Sequence, residues 1–422
     1  MFLDRLGRSG SYEFVKISLL IHYISTAVII ISVVSYARAE TLHDAIQRAW
    51  KNDPNLSFFH IDALSSKKEV KAARSWFPDS PMITGEYLDD HFIGSKVGYT
   101  TYQGGINFPL WLPGQSRALS NEALGNQAVA EARAQVQKLV TAVRIVTLTS
   151  QATLQRETVR NLRHADVLLG NIAHVTAVAY QKGELSGSDN DAIIAEKEEL
   201  EGKISDASQS LESLQSDIQA LTGSDEIPDL LSLSGHILEG RNMALDIEKD
   251  PRVRLAEAIR KLSKASYAVV RHSQIPNPRI GVMVSRQEQY ESPWDTQVGV
   301  QLQIPLPSSA RNTPREMKAV RAMAAADRDT ILARRKVQTE YRQIHARFRS
   351  SLTTLQHNKA TNAALQKRAD DLEKAWKMGE APIIEYLRAR RSALESQQRA
   401  SQANVVWHTA MIRMMLLTGE TP

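Results

Sequence analysis

A register that repeats constrains this chain more than any other feature. Asp53-Pro54 recurs as Asp250-Pro251 and Pro81 as Pro278, both 197 residues on. Pro109 recurs as Pro305, Gly183 as Gly379 and Leu221-Thr222-Gly223 as Leu417-Thr418-Gly419, all 196 residues on. Chance recurrences of proline and glycine do not hold an offset to within one residue across five separated landmarks, so the chain carries a duplicated half. Whatever it folds into is built twice from one set of parts.

Each half has the same order of parts. Residues 42–76 and 251–273 carry apolar side chains at helical spacing, as at Leu42, Ala45, Ile46 and Ala49, and each stretch predicts a helix. Two short strands follow. In the second half Val298, Val300, Leu302 and Ile304 alternate with Gln297, Gly299, Gln301 and Gln303. At the same offset in the first half Tyr102, Gly104, Ile106 and Phe108 alternate with Thr101, Gln103, Gly105 and Asn107. One face is apolar and the other polar but uncharged.

After the strands comes a very long helix. Residues 315–378 contain no glycine or proline, and residues 115–182 contain only Gly125 and Gly170. At about 1.5 Å per residue each helix spans roughly 95 to 100 Å, wider than an ordinary globular domain. Both end at a glycine turn, Lys182-Gly183-Glu184-Leu185 and Met378-Gly379-Glu380-Ala381, and return as helices that stop near Thr222-Gly223 and Thr418-Gly419. Small and apolar residues such as Ala324, Ala325, Ala326, Ile331 and Leu332 recur between charged faces, the composition of laterally packed coiled coils. A soluble coiled-coil scaffold would account for these hairpins, but it leaves the strands unexplained.

Strands with one apolar and one polar face fit a transmembrane β-barrel, whose outside meets lipid and whose inside meets water. Four strands cannot close a barrel, since about eight is the smallest workable number. Several copies must share one. Three would supply twelve strands, and the same symmetry would set their helices into a hollow cylinder beneath. The expected fold is therefore mainly α with short β, a strand pair and a long helical hairpin in duplicate. Pro109 and Pro305 mark the junction between barrel and helix, with Leu112-Pro113-Gly114 as a second turn signal. Trp111 and Tyr102 are candidates for an interfacial aromatic belt, ordinary packing being the other reading.

The first 39 residues differ from the rest. Arg5, Arg8 and Lys16 precede an apolar run over residues 17–34, and Ala37-Arg38-Ala39 supplies small residues for cleavage. This predicts a secretory signal peptide over residues 1–39, with Glu40 opening the mature protein; a single membrane anchor is the other reading of the same run. Removing that segment lowers the formal charge of the chain from +5 to +3. Lysine and arginine are interspersed with acids along the helices rather than gathered on one face, so no nucleic-acid partner is expected.

The chain has no cysteine, which excludes disulfides, thiolate metal sites and a lipid-modified N-terminal cysteine. Its 11 histidines are dispersed without a compact set of acidic co-ligands, so no metal site or other cofactor is expected. His91 falls in the predicted external hairpin loop. Motifs of serine hydrolases, zinc proteases, phosphate-binding loops and dinucleotide folds are absent, and no enzyme is expected.

The arrangement resembles the TolC family of outer-membrane efflux proteins. The features that carry the resemblance are Thr41-Leu42-x-x-Ala45-Ile46-x-x-Ala49 followed by Asn52-Asp53-Pro54, the Phe108-Pro109-Leu110 segment, the two glycine turns and the closing Leu417-Thr418-Gly419. Each is weak alone, and their order and duplication make the match. The resemblance implies a homotrimer with a twelve-stranded β-barrel in outer-membrane lipid and a periplasmic α-helical barrel. It also implies two partners, a periplasmic adaptor and an inner-membrane transporter. The implied function is the exit duct of a tripartite efflux pump for heavy-metal cations or drugs. The mature length and missing lipid-attachment cysteine lean toward the cobalt-zinc-cadmium resistance branch. A type I protein secretion duct and a periplasmic structural or adaptor protein are the alternatives.

By the same resemblance the hairpin turns close the periplasmic end and meet the adaptor, which assigns the docking tips to Gly183, Glu184, Leu185, Gly379, Glu380 and Ala381. The acid six residues past each turn glycine is Asp189 in the first half and Glu385 in the second, and rings of these would favour cations at the mouth. A solvated surface carboxylate is the plainer reading of either. The family's second acid, three positions further on, is replaced by Ala192 and Arg388. Arg388 could instead pair with a neighbouring carboxylate to hold the gate shut. The chain divides accordingly into the signal peptide, a first repeat over 40–225, an equatorial linker over 226–249 and a second repeat over 250–422.

Overall fold

The computed structural model describes residues 41–89, 99–183, 186–232, 246–289 and 293–420. The predicted signal peptide, His91, Glu184 and Leu185 lie outside the described residues. Two helices open the chain, α1 (Leu42–Asn52) and α2 (Pro54–Ala72), followed by strands β1 (Met82–Asp89) and β2 (Tyr99–Pro109). The hairpin α3 (Gln115–Gln181) and α4 (Gly187–Thr222) completes the first half. The second half repeats the order with α5 (Pro251–Arg271), β3 (Arg279–Gln289), β4 (Asp295–Gln303), α6 (Ser309–Lys377) and α7 (Ile383–Leu417).

The single helix expected over residues 42–76 is two. Asp53 interrupts it in an extended conformation, because Pro54 has no N–H to continue the ladder and takes the first position of α2 instead. The Asp53 carboxylate accepts the Asn55 N–H at 2.9 Å and caps the new helix. Asp250 does the same before Pro251, accepting the Arg252 N–H at 2.8 Å. The repeated Asp-Pro is thus a helix start in both halves.

The long helices lie close to their predicted limits: α3 ends one residue sooner, and α6 begins six residues earlier and ends one sooner. At 67 and 69 residues, α3 and α6 each reach about 100 Å. Pro314 lies inside α6 near its start, and the helix begins before it rather than after. Gly125 does not interrupt α3. A Cβ there would lie 3.2 Å from the Leu262 Cα, so the glycine lets α5 approach α3 closely.

At the base of the first half, α1 buries Leu42, Ala45, Ile46 and Ala49 against Ala142, Ile145, Val146, Val405, Ile412 and Leu416. Leu230, after α4, is fully buried in the same core, and Thr41 bridges to Asp229 in parallel. This core joins both halves. A second apolar cluster sits at the far end, where Leu169 and Ile172 of α3, Ile193 of α4 and Ile383 and Tyr386 of α7 pack together. The hairpins are therefore tied to each other at both ends.

The four strands form one antiparallel sheet in the order β1-β2-β3-β4. The two halves meet through β2 and β3, in register from Tyr99 opposite Gln289 to Pro109 opposite Arg279. Opposed residues share a face. Ile83, Ile106, Val282 and Val300 therefore line one row, and Thr84, Gly105, Met283 and Gly299 line the next on the opposite face.

Candidate channel wall, junction and tips

The apolar face of the sheet is open. Val298 and Val300 are 73% and 72% exposed, and Ile83, Ile106, Val282, Val284 and Leu302 are exposed with them. In water such a face would be a large unfavourable patch; against lipid it is the right surface. The opposite face carries Thr84, Gln103, Asn107, Ser285, Gln297, Gln301 and Gln303. The outer edges of β1 and β4 have no strand partner among the described residues. Among the described residues no helix is long and apolar enough to cross a membrane.

Aromatic residues gather toward both ends of the apolar face. Away from the helices, the Tyr87 and Tyr102 rings lie 4.9 Å apart and Trp294 lies 5.8 Å from Tyr102. Toward the helices, Phe77 and Phe108 are 5.4 Å apart and Trp76 is 91% exposed. This is the distribution of interfacial girdles. Tyr102 stands in the outward group; Tyr87 and Trp294, its companions, were not singled out in the sequence.

The junction below the sheet is a hydrogen-bonded knot. Pro109 is the last residue of β2 and Pro305 follows β4 by two residues, so both stand where strand gives way. Gly114 precedes α3 with φ 77°, and a Cβ there would lie 2.7 Å from the His272 ring. Gln115 and Asn277 exchange amide hydrogen bonds: Asn277 Nδ2 donates to Gln115 Oε1 at 2.7 Å, and Gln115 Nε2 donates to Asn277 Oδ1 at 3.2 Å. Asn277 also donates to the Leu110 carbonyl and the Leu112 N–H donates to Gln115. Trp111 donates its indole N–H to the Ser75 carbonyl at 2.9 Å. Sequence reasoning missed Gln115, Asn277 and His272, because their partners lie about 160 residues away.

The base of the helices carries paired polar anchors. Burial pushes the Asp53 carboxyl up, but hydrogen bonds from Gln137 at 2.8 Å, Thr141 at 2.7 Å and the Asn55 N–H outweigh it and hold the pKa below the usual value. In the second half Asp250 is paired with Arg252, whose guanidinium also reaches Glu340. The Asp250 hydrogen bond is the largest cause that holds Arg252 more firmly protonated than usual, against its own burial.

At the tips, Gly183 and Gly379 have φ of 75° and 77°. A Cβ at either would meet no neighbour, so it is the left-handed backbone that requires glycine. Gly379 donates to the Trp376 carbonyl and Glu380 to the Ala375 carbonyl, which closes the last turn of α6. Ala381 follows before α7 begins.

Asp189 lies in the first turn of α4, its backbone N–H capped by Ser186. Glu385 is exposed in the first turn of α7, in a shallow groove beside Lys367 and Arg368 of α6. Arg388 is exposed and forms no ion pair among the described residues. The arginine that does is two residues on. Arg390 bonds to Asp370 at 3.3 Å and Glu373 at 2.5 Å, and lies 5.6 Å from the centre of Tyr386, which stacks on Trp376. Glu373 is held below the usual carboxylate pKa, first by its hydrogen bond from Lys377 and then by Arg390. The structure therefore does not join Asp189, Glu385 and Arg388 into one cluster within the protomer. No group of three or more metal-ligating side chains occurs among the described residues.

A family model described as outer membrane efflux protein matches residues 245–420, from the end of the linker to the turn after α7. That segment is similar to the outer membrane efflux protein family. The likeness in fold extends over both halves. CusC, whose structures concern folding and transmembrane channel formation, superposes with a TM-score of 0.74 over 92% of this chain and 96% of its own, at 13% identity. The outer membrane protein VceC of Vibrio cholerae gives 0.72 over 90% and 96%, at 12% identity. The CmeC outer membrane channel of Campylobacter jejuni gives 0.72 over 90% and 85%, also at 12% identity. No curated protein sequence matches the chain. The mainly helical efflux-channel fold, with one short antiparallel sheet, is thus the fold of this protein.

Proposed function

We propose that three copies of this chain close one twelve-stranded barrel in the outer membrane, continuous with a periplasmic helical barrel, and serve as the exit duct of a tripartite efflux pump. The observation that carries this is the four-stranded sheet, with an exposed apolar face and two edges unpaired among the described residues, set on hairpins of about 100 Å. A sheet of that kind is stable only when its edges are paired and its apolar face is in lipid. In this reading the polar face lines the conduit, and residues 40–225 and 250–422 are the repeats joined by the 226–249 linker.

The tips Gly183, Glu184, Leu185, Gly379, Glu380 and Ala381 would meet a periplasmic adaptor, with an inner-membrane transporter supplying cargo. Rings of Asp189 and Glu385 would bias the mouth toward cations. Arg388, exposed and without an ion-pair partner among the described residues, is left to reach a carboxylate of the next copy. Divalent metal cations lead drugs as the cargo class. Purified protein in a planar bilayer should carry stepwise ionic current, and deletion of its gene should sensitise cells to metal salts. Protein that conducts no current would sink the duct. Sensitivity to drugs alone would move the cargo while keeping the duct.

A further inference from the structure

Three features meet on the apolar face, from its middle row toward its outward end. Gly85 and Gly104 are directly opposed on β1 and β2, and a Cβ on either would meet nothing. They leave a shallow notch of about 530 Å³, bordered by Tyr87, Tyr102, Val284 and Arg286. Arg286 lies opposite Tyr102, on the apolar face, with its guanidinium 5.1 Å from the centre of the Trp294 ring. It has no carboxylate within ion-pair distance among the described residues. Asp89, on the same face, takes the Tyr87 hydroxyl at 2.8 Å, and Glu288 lies one row further out.

An unpaired guanidinium on a lipid-facing strand is costly unless an anion from the membrane meets it. This end of the sheet points away from the helices, so in the duct reading it sits in the outer leaflet, whose lipid is a phosphorylated glycolipid. We propose that the Gly85–Gly104 notch and Arg286 form a docking site for that glycolipid, with an acyl chain over Val284 and a phosphate on the guanidinium. The Tyr87, Tyr102 and Trp294 rings offer flat faces to its sugars. Since β2 and β3 are the inner strands of the sheet, pairing of copies at β1 and β4 leaves Arg286 open to lipid.

This site rests on the outer-membrane reading, and its test separates the two. The full channel is purified from membranes, stripped of lipid and incubated with lipid A, dephosphorylated lipid A or phosphatidylglycerol. Retained lipid is read by native mass spectrometry, beside membrane fractionation and heat-dependent gel mobility. The parent should retain lipid A over both other lipids. Arg286→Gln should lower lipid A retention about fivefold and erase the preference for its phosphates. Gly104→Leu, which fills the notch, should lower retention of all three. Retention of lipid A unchanged in both variants, or of phosphatidylglycerol as strong as lipid A, would overturn the site in a channel that still inserts. A chain absent from the membrane fraction would overturn the duct reading itself.

Discussion

Single side chains hold the places where strand becomes helix and helix turns back. The Gln115 amide, 7% exposed, has partners on both sides of the junction. Gln115→Ala would leave Asn277 and the Leu112 N–H without their partner, at a cost of about 1–3 kcal/mol. Chemical denaturation followed by circular dichroism should show that loss, and a midpoint equal to the parent's would remove Gln115 from the knot. His408 on α7 offers a pH test. Burial holds its pKa below 6.5, against the Asn404 carbonyl, which favours protonation; Lys359 lowers it further and Asp229 raises it slightly. With its folded pKa depressed, the unfolded chain binds the proton first as pH falls. Its contribution is therefore intact above about 6.5 and is lost as the pH falls through the folded value, so His408→Gln should flatten the fall in melting temperature between neutral and mildly acidic pH. At this scale the sequence was legible where chemistry is local. Gly183 and Gly379 could be read because few residues other than glycine adopt their backbone angles. Arg390 could not be told from Arg388, because its partners Asp370 and Glu373 lie on the opposite arm of the hairpin.

Elements divide in the same way. The alternation along β4 was plain in Val298, Val300 and Leu302, and these are among the most exposed apolar residues of the sheet. Their exposure and the β2–β3 pairing that unites the halves needed the structure, since pairing between strands 180 residues apart leaves no local trace. The alternation makes a paired prediction. Val300→Arg places a charge on the lipid face and should cost about 2–4 kcal/mol of folding in lipid vesicles, less if the site lies near an interface. Gln301→Arg, one residue on and facing the opposite way, should fold as the parent does and change ion selectivity. Equal effects at the two sites would mean that the faces are misassigned. Along the helices, the Asp53 break was hidden because apolar spacing continues across it, although the Asp-Pro pair was the one local sign of it.

The whole molecule is a sheet that cannot close and two hairpins tied at both ends. The base core around Ile46 and Ile145 unites α1, α3 and α7, so Ile145→Ala, at a site with no exposure, should cost about 2–5 kcal/mol and loosen both halves together. A single unfolding transition for the helices supports that union, and two separated transitions would deny it. The repeat register announced the duplication, and strand arithmetic announced that several copies must assemble; that there are three is what the family resemblance implies, and no contact inside one chain sets it. The absence of cysteine makes this testable without background. Single cysteines at Ile83 on β1 are combined in one chain with cysteines scanned over Val298, Val300 and Leu302 on β4, and mild oxidation in native outer membranes is read on a non-reducing gel. At least one combination should yield a covalent species of three chains and none larger. Crosslinks that stay within single chains, or that stop at two, would contradict it.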